Sequence, residues 1–448
     1  MGQGRGWRTL SENESEVRLI MLKDILDILK SSSADDWEIT DTKTSGWEFY
    51  FIKHALDQNR AKEVEHVTVT VYKKSEDGKY LGNASGEIAL SETKENVKKT
   101  IEDMIFSASL VKNDIYELNE PKQAEPIPAE EGDTASVSEQ FIRTMTSLPE
   151  TKTEDINSYE IFVDHNEKRL MTSKGIDISS NGIASMIEVV VNARNPEHEI
   201  ELYRMYHSGT CNETGLKNDL VKTMQYGRDR LKAVPTPALE STDVVFSTED
   251  AARIYEYFLA KVNASSVYQK ISDWKLNEPA VKNEQGDTVT LKAVRCLKNS
   301  SSNAAYDSEG APIKDTVLIE KNTPKAYWGK KMFASYLGLA DSFIVSNWTV
   351  DGGSKSEEEI RSGRYLEIVE FSDFQVDHIA GDIFGEIRLA YLHDGDQVTI
   401  VTGGSVSGNM SDYAARMWMS KEQTQYNEAL IPSLTKLCGV KITGAAKK

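Results

Sequence analysis

The sequence predicts an α+β protein in which N-terminal α/β modules are followed by a strand-rich, mostly antiparallel C-terminal domain. Apolar residues recur at helical spacing in several stretches before residue 235, whereas residues 238–448 mostly alternate between apolar and polar side chains. With 28 glycines and 11 prolines among 448 residues, a largely disordered or fibrous chain is excluded.

The first predicted module, residues 1–118, has the order helix, strands, helix. Its opening helix covers the apolar stretch Val17–Leu29, which charged residues interrupt. Two segments alternate as half-buried strands do, with apolar positions at Trp47, Phe49 and Phe51 in one and Val67, Val69 and Val71 in the other. A helix from Ser91 then places apolar residues on one face: Val97, Ile101, Met104, Ile105 and Ala108.

Residues 119–136 are predicted to form an acidic, proline-rich connection between modules. They include Pro121, Pro126 and Pro128 and hardly any large apolar side chain. Such a segment cannot bury enough surface to order itself, so we expect it to be solvated.

The second predicted module, residues 137–235, is also α+β. It begins with a short helix, Val137–Leu148, and contains a clear strand at 186–191. A closing helix carries Leu216, Leu220, Met224 and Leu231. The Val234-Pro-Thr-Pro237 run then predicts a boundary.

The third predicted module, residues 238–448, is rich in strands. One helix is predicted near Thr248 and a last one from about Met410, carrying Tyr413, Met417 and Met419. The strand-like runs are Thr288–Leu297, Thr316–Glu320, Tyr365–Phe371, Phe384–Tyr391 and Val398–Val401. Asp394-Gly395, between the last two runs, predicts a hairpin.

Composition excludes several classes of function. The 52 Lys and Arg residues against 71 Asp and Glu give a net charge of −19. Nucleic-acid binding depends on basic side chains that neutralise phosphates, so we expect no nucleic-acid partner. The three cysteines lie far apart, without the spacing of a disulfide framework or a thiolate zinc site. No stretch is long and apolar enough for a signal peptide or a membrane span, so we expect a cytoplasmic protein without a membrane partner.

The histidines do not form a zinc motif. The single His-Glu dipeptide is His198-Glu199, and the next histidine, His207, lies nine residues further on. A helical zinc site needs its second histidine four or five residues after the first. Because Ile200 and Leu202 alternate with glutamates, this segment is predicted to be a strand with an exposed face.

Two further segments could carry function, although ordinary turn structure explains both. His378 lies in the loop Val376–Asp382 between two predicted strands, and such loops often carry functional residues. The glycine-rich run Gly403–Asn409 leads from a strand towards a helix, where free N–H groups attract anions, but it has neither the lysine of a P-loop nor a GxGxxG pattern. It can equally be a turn with Ser411 as the helix N-cap.

Four segments of the third module resemble motifs of the TldD/PmbA family, and they follow the family's order. Asp307-Ser-Glu-Gly-Ala-Pro312 with the strand after it is similar to the family's D-x-E-G-x-P turn. Glu357–Leu366 is similar to its helix-then-glycine segment, and Ala380–Glu386 to its T-G-D-F stretch. Val401–Met410 is similar to its closing glycine-rich turn. The N-terminal half fits more loosely, through residues 72–111. The positions carried over, with roles unproven, are Asp307, Glu309, Gly310, His378, Gly381, Asp382, Gly403, Gly404 and Gly408.

The resemblance implies one of two kinds of subunit. TldD-type members are metallopeptidases with HExxxH on a helix and a cysteine as a further ligand, whereas PmbA-type members, also called TldE, lack the metal site and pair with them. Here the motif positions fall near Glu256, Tyr257 and Lys261, and there is no histidine between His207 and His378. We therefore expect neither catalytic residues, metal nor cofactor in this chain.

The resemblance leaves three hypotheses. In the first, the chain is a non-catalytic subunit that dimerises, with itself or with a TldD-type protease, and helps it hold unfolded or flexible peptides. In the second, the chain is a metal-dependent peptidase with displaced ligands, drawn from His378, Asp377 and Asp382. The third, DNA gyrase modulation through protein–protein contact, rests on the family's historical name. The absent motif favours the first.

Overall fold

The structure is a computed structural model that describes residues 12–128 and 132–445. Residues 1–11 of the predicted first module, 129–131 of the predicted connection and 446–448 of the third module lie outside it. The helices are α1 (Glu12–Ser31), α2 (Lys94–Leu110), α3 (Thr134–Thr146), α4 (Glu213–Arg230), α5 (Asp250–Lys261), α6 (Ala264–Tyr268), α7 (Lys331–Tyr336), α8 (Glu357–Ile360) and α9 (Met410–Tyr413), with a 3₁₀ turn at Ala414–Arg416.

The strands of the described residues alternate with these helices along the chain. They are β1 (Asp36–Ile52), β2 (Ala55–Lys74), β3 (Leu81–Ile88), β4 (Glu154–Thr172), β5 (Asp177–Arg194), β6 (Glu199–Ser208), β7 (Val234–Pro235), β8 (Leu239–Phe246), β9 (Leu291–Val294), β10 (Thr316–Glu320), β11 (Thr323–Pro324), β12 (Asn347–Val350), β13 (Tyr365–Val376), β14 (Asp382–Asp394), β15 (Gln397–Thr402), β16 (Ser405–Asn409), β17 (Met417–Met419), β18 (Gln423–Tyr426), β19 (Ala429–Pro432) and β20 (Thr435–Thr443). The predicted α+β class is confirmed.

The chain forms two compact units. Of the described residues, unit 1 comprises 12–44, 63–122 and 166–181, and unit 2 comprises 45–62, 123–128, 132–165 and 182–445. In unit 1 the strand order is β3-β2-β1, and the apolar face predicted for α2 packs in one core with Val67, Val69 and Val71 of β2. The module boundaries predicted from the sequence stay predictions.

Part of unit 2 is a sheet covered by helices α3 and α4. The strand order here is β2-β1-β4-β5-β6, and alternate residues of β4 and β5, such as Ile161 and Val189, are fully buried in one core with Phe141 of α3 and Leu220 of α4. Residues 123–128 have no helix or strand, but Ala124 N donates to the Tyr306 hydroxyl and Arg295 pairs with Glu125.

The rest of unit 2 is built on a closed β-barrel of five strands. Around the ring, β13 pairs with β8, β8 with β20, β20 with β16, β16 with β14, and β14 returns to β13. A ring of pairings leaves no open edge among these strands. A second sheet has the order β11-β10-β9-β12-β19-β18, and α5 contributes buried residues to the core that the two sheets share.

Three predicted elements of the third module differ in the structure. The predicted helix from Met410 ends at Tyr413, and Met417 and Met419 belong to β17, which pairs with β20. The helix N-cap is Asn409, whose side chain accepts from Ser411 N, so the prediction of Ser411 was wrong. The glycine-rich run holds strand β16 between β14 and β20, and its backbone takes part in the barrel.

One buried ion pair joins β6 to the barrel. Both guanidinium Nη atoms of Arg204 donate to the Glu370 carboxylate of β13, at 3.0 and 2.5 Å. The side chains are only 17% and 10% exposed. A buried ion left without its partner is far more costly than the pair itself is stabilising.

Arg204→Met should therefore lower the free energy of unfolding by about 3 kcal/mol, because Glu370 stays buried without a counterion. The double variant R204M/E370M should regain most of this loss. Urea denaturation followed by circular dichroism measures both, and equal losses in the single and double variants would contradict this explanation.

Candidate functional site

Helix α5 carries Glu256, Tyr257 and Lys261, the residues predicted to lie near the positions of the HExxxH motif. Its core face is fixed by Tyr255, which is fully buried and whose hydroxyl lies 2.7 Å from Thr435 Oγ1. Near its C-terminus the Leu259 carbonyl accepts from the Trp328 indole N–H at 2.8 Å. The helix is thus held at both its middle and its end, which determines where Glu256, Tyr257 and Lys261 lie.

The turn between β13 and β14 is tightly hydrogen-bonded. Asp377 Oδ1 accepts from the N–H groups of Ile379 and Ala380, at 2.7 and 2.6 Å, and the Asp377 carbonyl accepts from Gly381 N. These amide donors hold the pKa of the Asp377 carboxyl below its usual value. Gly381 has φ +80°, a conformation that glycine adopts most readily.

The turn lies directly against α5. Lys261 Nζ donates to the Ile379 carbonyl at 2.8 Å and lies 5.1 Å from the centre of the Tyr257 ring. A Cβ on residue 381 would lie 3.1 Å from Tyr257 Cε2. His378 Nε2 lies 3.8 Å from Glu256 Oε2. The predicted motif positions on α5 therefore lie next to the β13–β14 turn, which carries the motif positions His378 and Gly381.

Lys261 is the least expected member of this site. It is only 7% exposed, and burial lowers the pKa of its ammonium group, while Asp273 and Asp377 act in the opposite direction. Burial likewise raises the pKa of the Tyr257 phenol. The Ile379 carbonyl and the Tyr257 ring contact the ammonium in place of water, and the negative charges of Asp273 and Asp377 favour its charged form.

Asn409 completes the site, and the sequence analysis missed it. Its side-chain Nδ2 donates to the Ala380 carbonyl and to Asp382 Oδ1, both at 2.8 Å. Met410 N, the next donor along the chain, bonds to the Gly381 carbonyl at 2.8 Å. Asparagine directly before a helix is a common N-cap, and that preference could have revealed it.

Asp307 and Glu309, two further motif positions, accept hydrogen bonds from main-chain amides both within their turn and far along the chain. Asp307 Oδ1 accepts from Glu309 N and Ala311 N, both at 2.9 Å, and its Oδ2 accepts from Ile344 N at 2.7 Å. Glu309 Oε2 accepts from Lys331 N at 2.7 Å, and burial raises the pKa of this carboxyl. Gly310 has φ +77°.

The glycines of the closing run are required by the barrel. A Cβ at Gly404, where φ is +78°, would lie 2.2 Å from the Thr443 carbonyl. Gly403 N donates to the Ile387 carbonyl, and Gly408 pairs with Ile383 in the ladder. Because Gly403 N donates within the barrel, it is not one of the free N–H groups that the sequence suggested could bind an anion.

The site does not fit a metal ion. Lys261, near the predicted position of the second histidine, donates a hydrogen bond to the Ile379 carbonyl, and its ammonium has no lone pair with which to coordinate a metal. Residues 12–128 and 132–445 contain no group of three or more His, Cys, Asp or Glu side chains arranged to hold a metal. His378, Asp377 and Asp382, the alternative ligand set, do not form such a group in the described part of the chain.

Comparisons with known proteins agree with this architecture. Residues 240–444 match the family model of the PmbA/TldA metallopeptidase C-terminal domain. TldE from Thermococcus kodakarensis superposes with a TM-score of 0.75 over 96% of this chain and 100% of its own, at 18% identity. A protein from Thermotoga maritima, described as a candidate modulator of a DNA gyrase, superposes with a TM-score of 0.76. The match covers 95% of this chain and 100% of that protein, at 15% identity.

A third structure, from Bacteroides thetaiotaomicron and likewise described as a candidate modulator of DNA gyrase, has a TM-score of 0.74 at 15% identity over 98% of this chain and 100% of its own. None of the curated proteins matches the sequence. The fold and the matched domain define a metallopeptidase-related class. Residues 240–444 match the C-terminal domain of the TldD/PmbA family, which confirms the resemblance predicted from the motifs.

Among the described residues, no helix is long and apolar enough to cross a membrane.

Asp250, the first residue of α5, makes the stability of this region dependent on pH. Burial raises the pKa of its carboxyl to about 6, and Glu370 adds to the rise while Arg253 and Arg204 oppose it. A carboxyl whose pKa is higher in the folded protein than in the unfolded chain favours folding at low pH. That contribution is lost as the pH rises through about 6.

Asp250→Asn should therefore raise the free energy of unfolding relative to the unsubstituted protein by on the order of 2 kcal/mol at pH 8, and by much less at pH 4. Urea denaturation at both pH values tests this. A gain of the same size at both would show that the ionisation of Asp250 is not its cause.

Proposed function

We propose that this chain is a non-catalytic, PmbA/TldE-like subunit that helps a TldD-type protease to hold unfolded or flexible peptides. The observation that carries the proposal is the occupation of the HExxxH positions by Glu256, Tyr257 and Lys261, with Lys261 engaged by the Ile379 carbonyl. Without imidazole ligands at these positions there is no zinc ion to activate a water molecule. The partner would supply the metal and the chemistry.

Strand β6 supports a peptide-holding role. Among the strands that the structure describes, it is the last of its sheet and pairs on one side only, with β5. Arg194 lies opposite Glu199 in the β5–β6 ladder, but its N–H donates to the Thr153 carbonyl on the other side of β5. Arg194 and Glu199 are therefore a pair that does not exchange hydrogen bonds. By the alternation of an antiparallel ladder, the main-chain groups of residues 199, 201, 203, 205 and 207 point outward.

The side-chain contacts along β6 agree with this register. Arg230 donates to the Glu201 carbonyl at 3.4 Å and Arg204 to the Tyr203 carbonyl at 2.9 Å, both on the outer side. An extended peptide paired with such an edge would be recognised mainly through its main chain, which suits substrates of varied sequence. No observation on this chain favours gyrase modulation.

The protease pairing predicts a division of labour. The purified chain alone should not hydrolyse an unstructured peptide. A complex with a TldD-type subunit that has an intact HExxxH should hydrolyse it, and a chelator should stop the reaction. Glu256→Ala in this chain should leave the rate of the complex unchanged within about twofold, because the residue holds no metal. Chelator-sensitive hydrolysis by the isolated chain, lost in His378→Ala, would instead establish the displaced-ligand peptidase.

The edge of β6 can be tested separately. Met205→Pro removes an outward N–H that the ladder does not use, so the fold should be retained. Binding of a fluorescent, unstructured 15-residue peptide to the complex should weaken about fivefold, the effect of one hydrogen bond of about 1 kcal/mol. Met205→Ala, which keeps the N–H, should bind like the unsubstituted protein. Equal weakening in both variants would assign the effect to the side chain and contradict strand pairing.

A further inference from the structure

The β13–β14 turn needs an anchor on its α5 side. Asn409 and Met410 hold the Ala380 and Gly381 carbonyls from the barrel side. The Ile379 carbonyl has its hydrogen bond from Lys261 alone among the described contacts. The Ile379 side chain itself is 61% exposed and makes little packing surface with the protein.

We propose that the Lys261 ammonium ion takes over, in this chain, the mechanical role that a metal ion has in linking a helix to a neighbouring loop. It stands at the second histidine position of the motif, is almost fully buried, and bridges α5 to the turn through one charge-assisted hydrogen bond, while its ammonium also lies over the ring of Tyr257 in its own helix. The positive charge that a metal would supply is thus built into the chain. This inference concerns the turn and is independent of any protease partner.

The neighbouring residues suit a fixed cation. Asp273 and Asp377 favour the charged form of Lys261. Gly381 lets the turn approach the Tyr257 ring closely, since any larger residue would press on it. With the turn bound on both sides, each of its carbonyls from Ile379 to Gly381 has a donor.

Hydrogen exchange measured by NMR tests the anchor in the full-length chain. In Lys261→Met, the amides of Ile379, Ala380 and Gly381 should exchange at least tenfold faster than in the unsubstituted protein, since hydrogen bonds to charged groups are the stronger ones. Lys222→Met is the matched control, because it also removes an ammonium over a tyrosine ring, that of Tyr226, and contacts no part of the turn. Unchanged exchange in Lys261→Met would overturn the proposal.

A second variant tests the equivalence with a metal ion and serves if Lys261→Met does not fold. The variant E256H/K261H adds imidazoles at positions 256 and 261, and the native His378 lies beside the first, with Nε2 3.8 Å from Glu256 Oε2. Added zinc should slow exchange of the same three amides at least tenfold, and a further His378→Ala should abolish the effect. Zinc that leaves the exchange rates unchanged would overturn the equivalence.

Discussion

The pairing of β13 with β14 is the constraint on which the rest of the C-terminal region depends. It closes the five-stranded ring, so the turn between the two strands is fixed at one end of the barrel. Since β14 also pairs with β16, the residues that follow β16, Asn409 and Met410, come to lie beside that turn. Helix α5, which directly follows β8 of the same ring, approaches from the other side. The candidate site is therefore a consequence of barrel closure.

A lysine at this place has different chemistry from a metal ion. Both are cations that can fix the position of a carbonyl oxygen. A zinc ion also lowers the pKa of a bound water molecule and polarises a substrate carbonyl, which an ammonium ion does not do, because its nitrogen has no vacant coordination position. The proposed anchor thus provides a mechanical link between α5 and the turn without the chemistry of a metal ion. This division fits a subunit that binds peptide for a partner.

Sequence patterns predicted the elements whose structure depends on residues close together in the sequence. Helix α5, the alternating strands and the Asp394-Gly395 hairpin follow from local periodicity and turn chemistry, and the structure has them. The helix predicted through Met417 failed because pairing of Met417 with Leu437 outweighs the local helical pattern. The contact of Lys261 with Ile379 spans 118 residues of sequence, so no local pattern could have indicated it. The motif order did bring the right positions into consideration, although their mutual contact was not foreseen.

The metal content of the full-length protein, purified without chelators or a metal-binding tag, tests the central claim most directly. We expect mass spectrometry of metals to find no zinc, or other transition metal, in stoichiometric amount, because glutamate and lysine stand where the two histidine ligands of the motif would be needed. One zinc ion per chain, lost on His378→Ala, would contradict the non-catalytic interpretation and assign the metal to the turn that Lys261 holds.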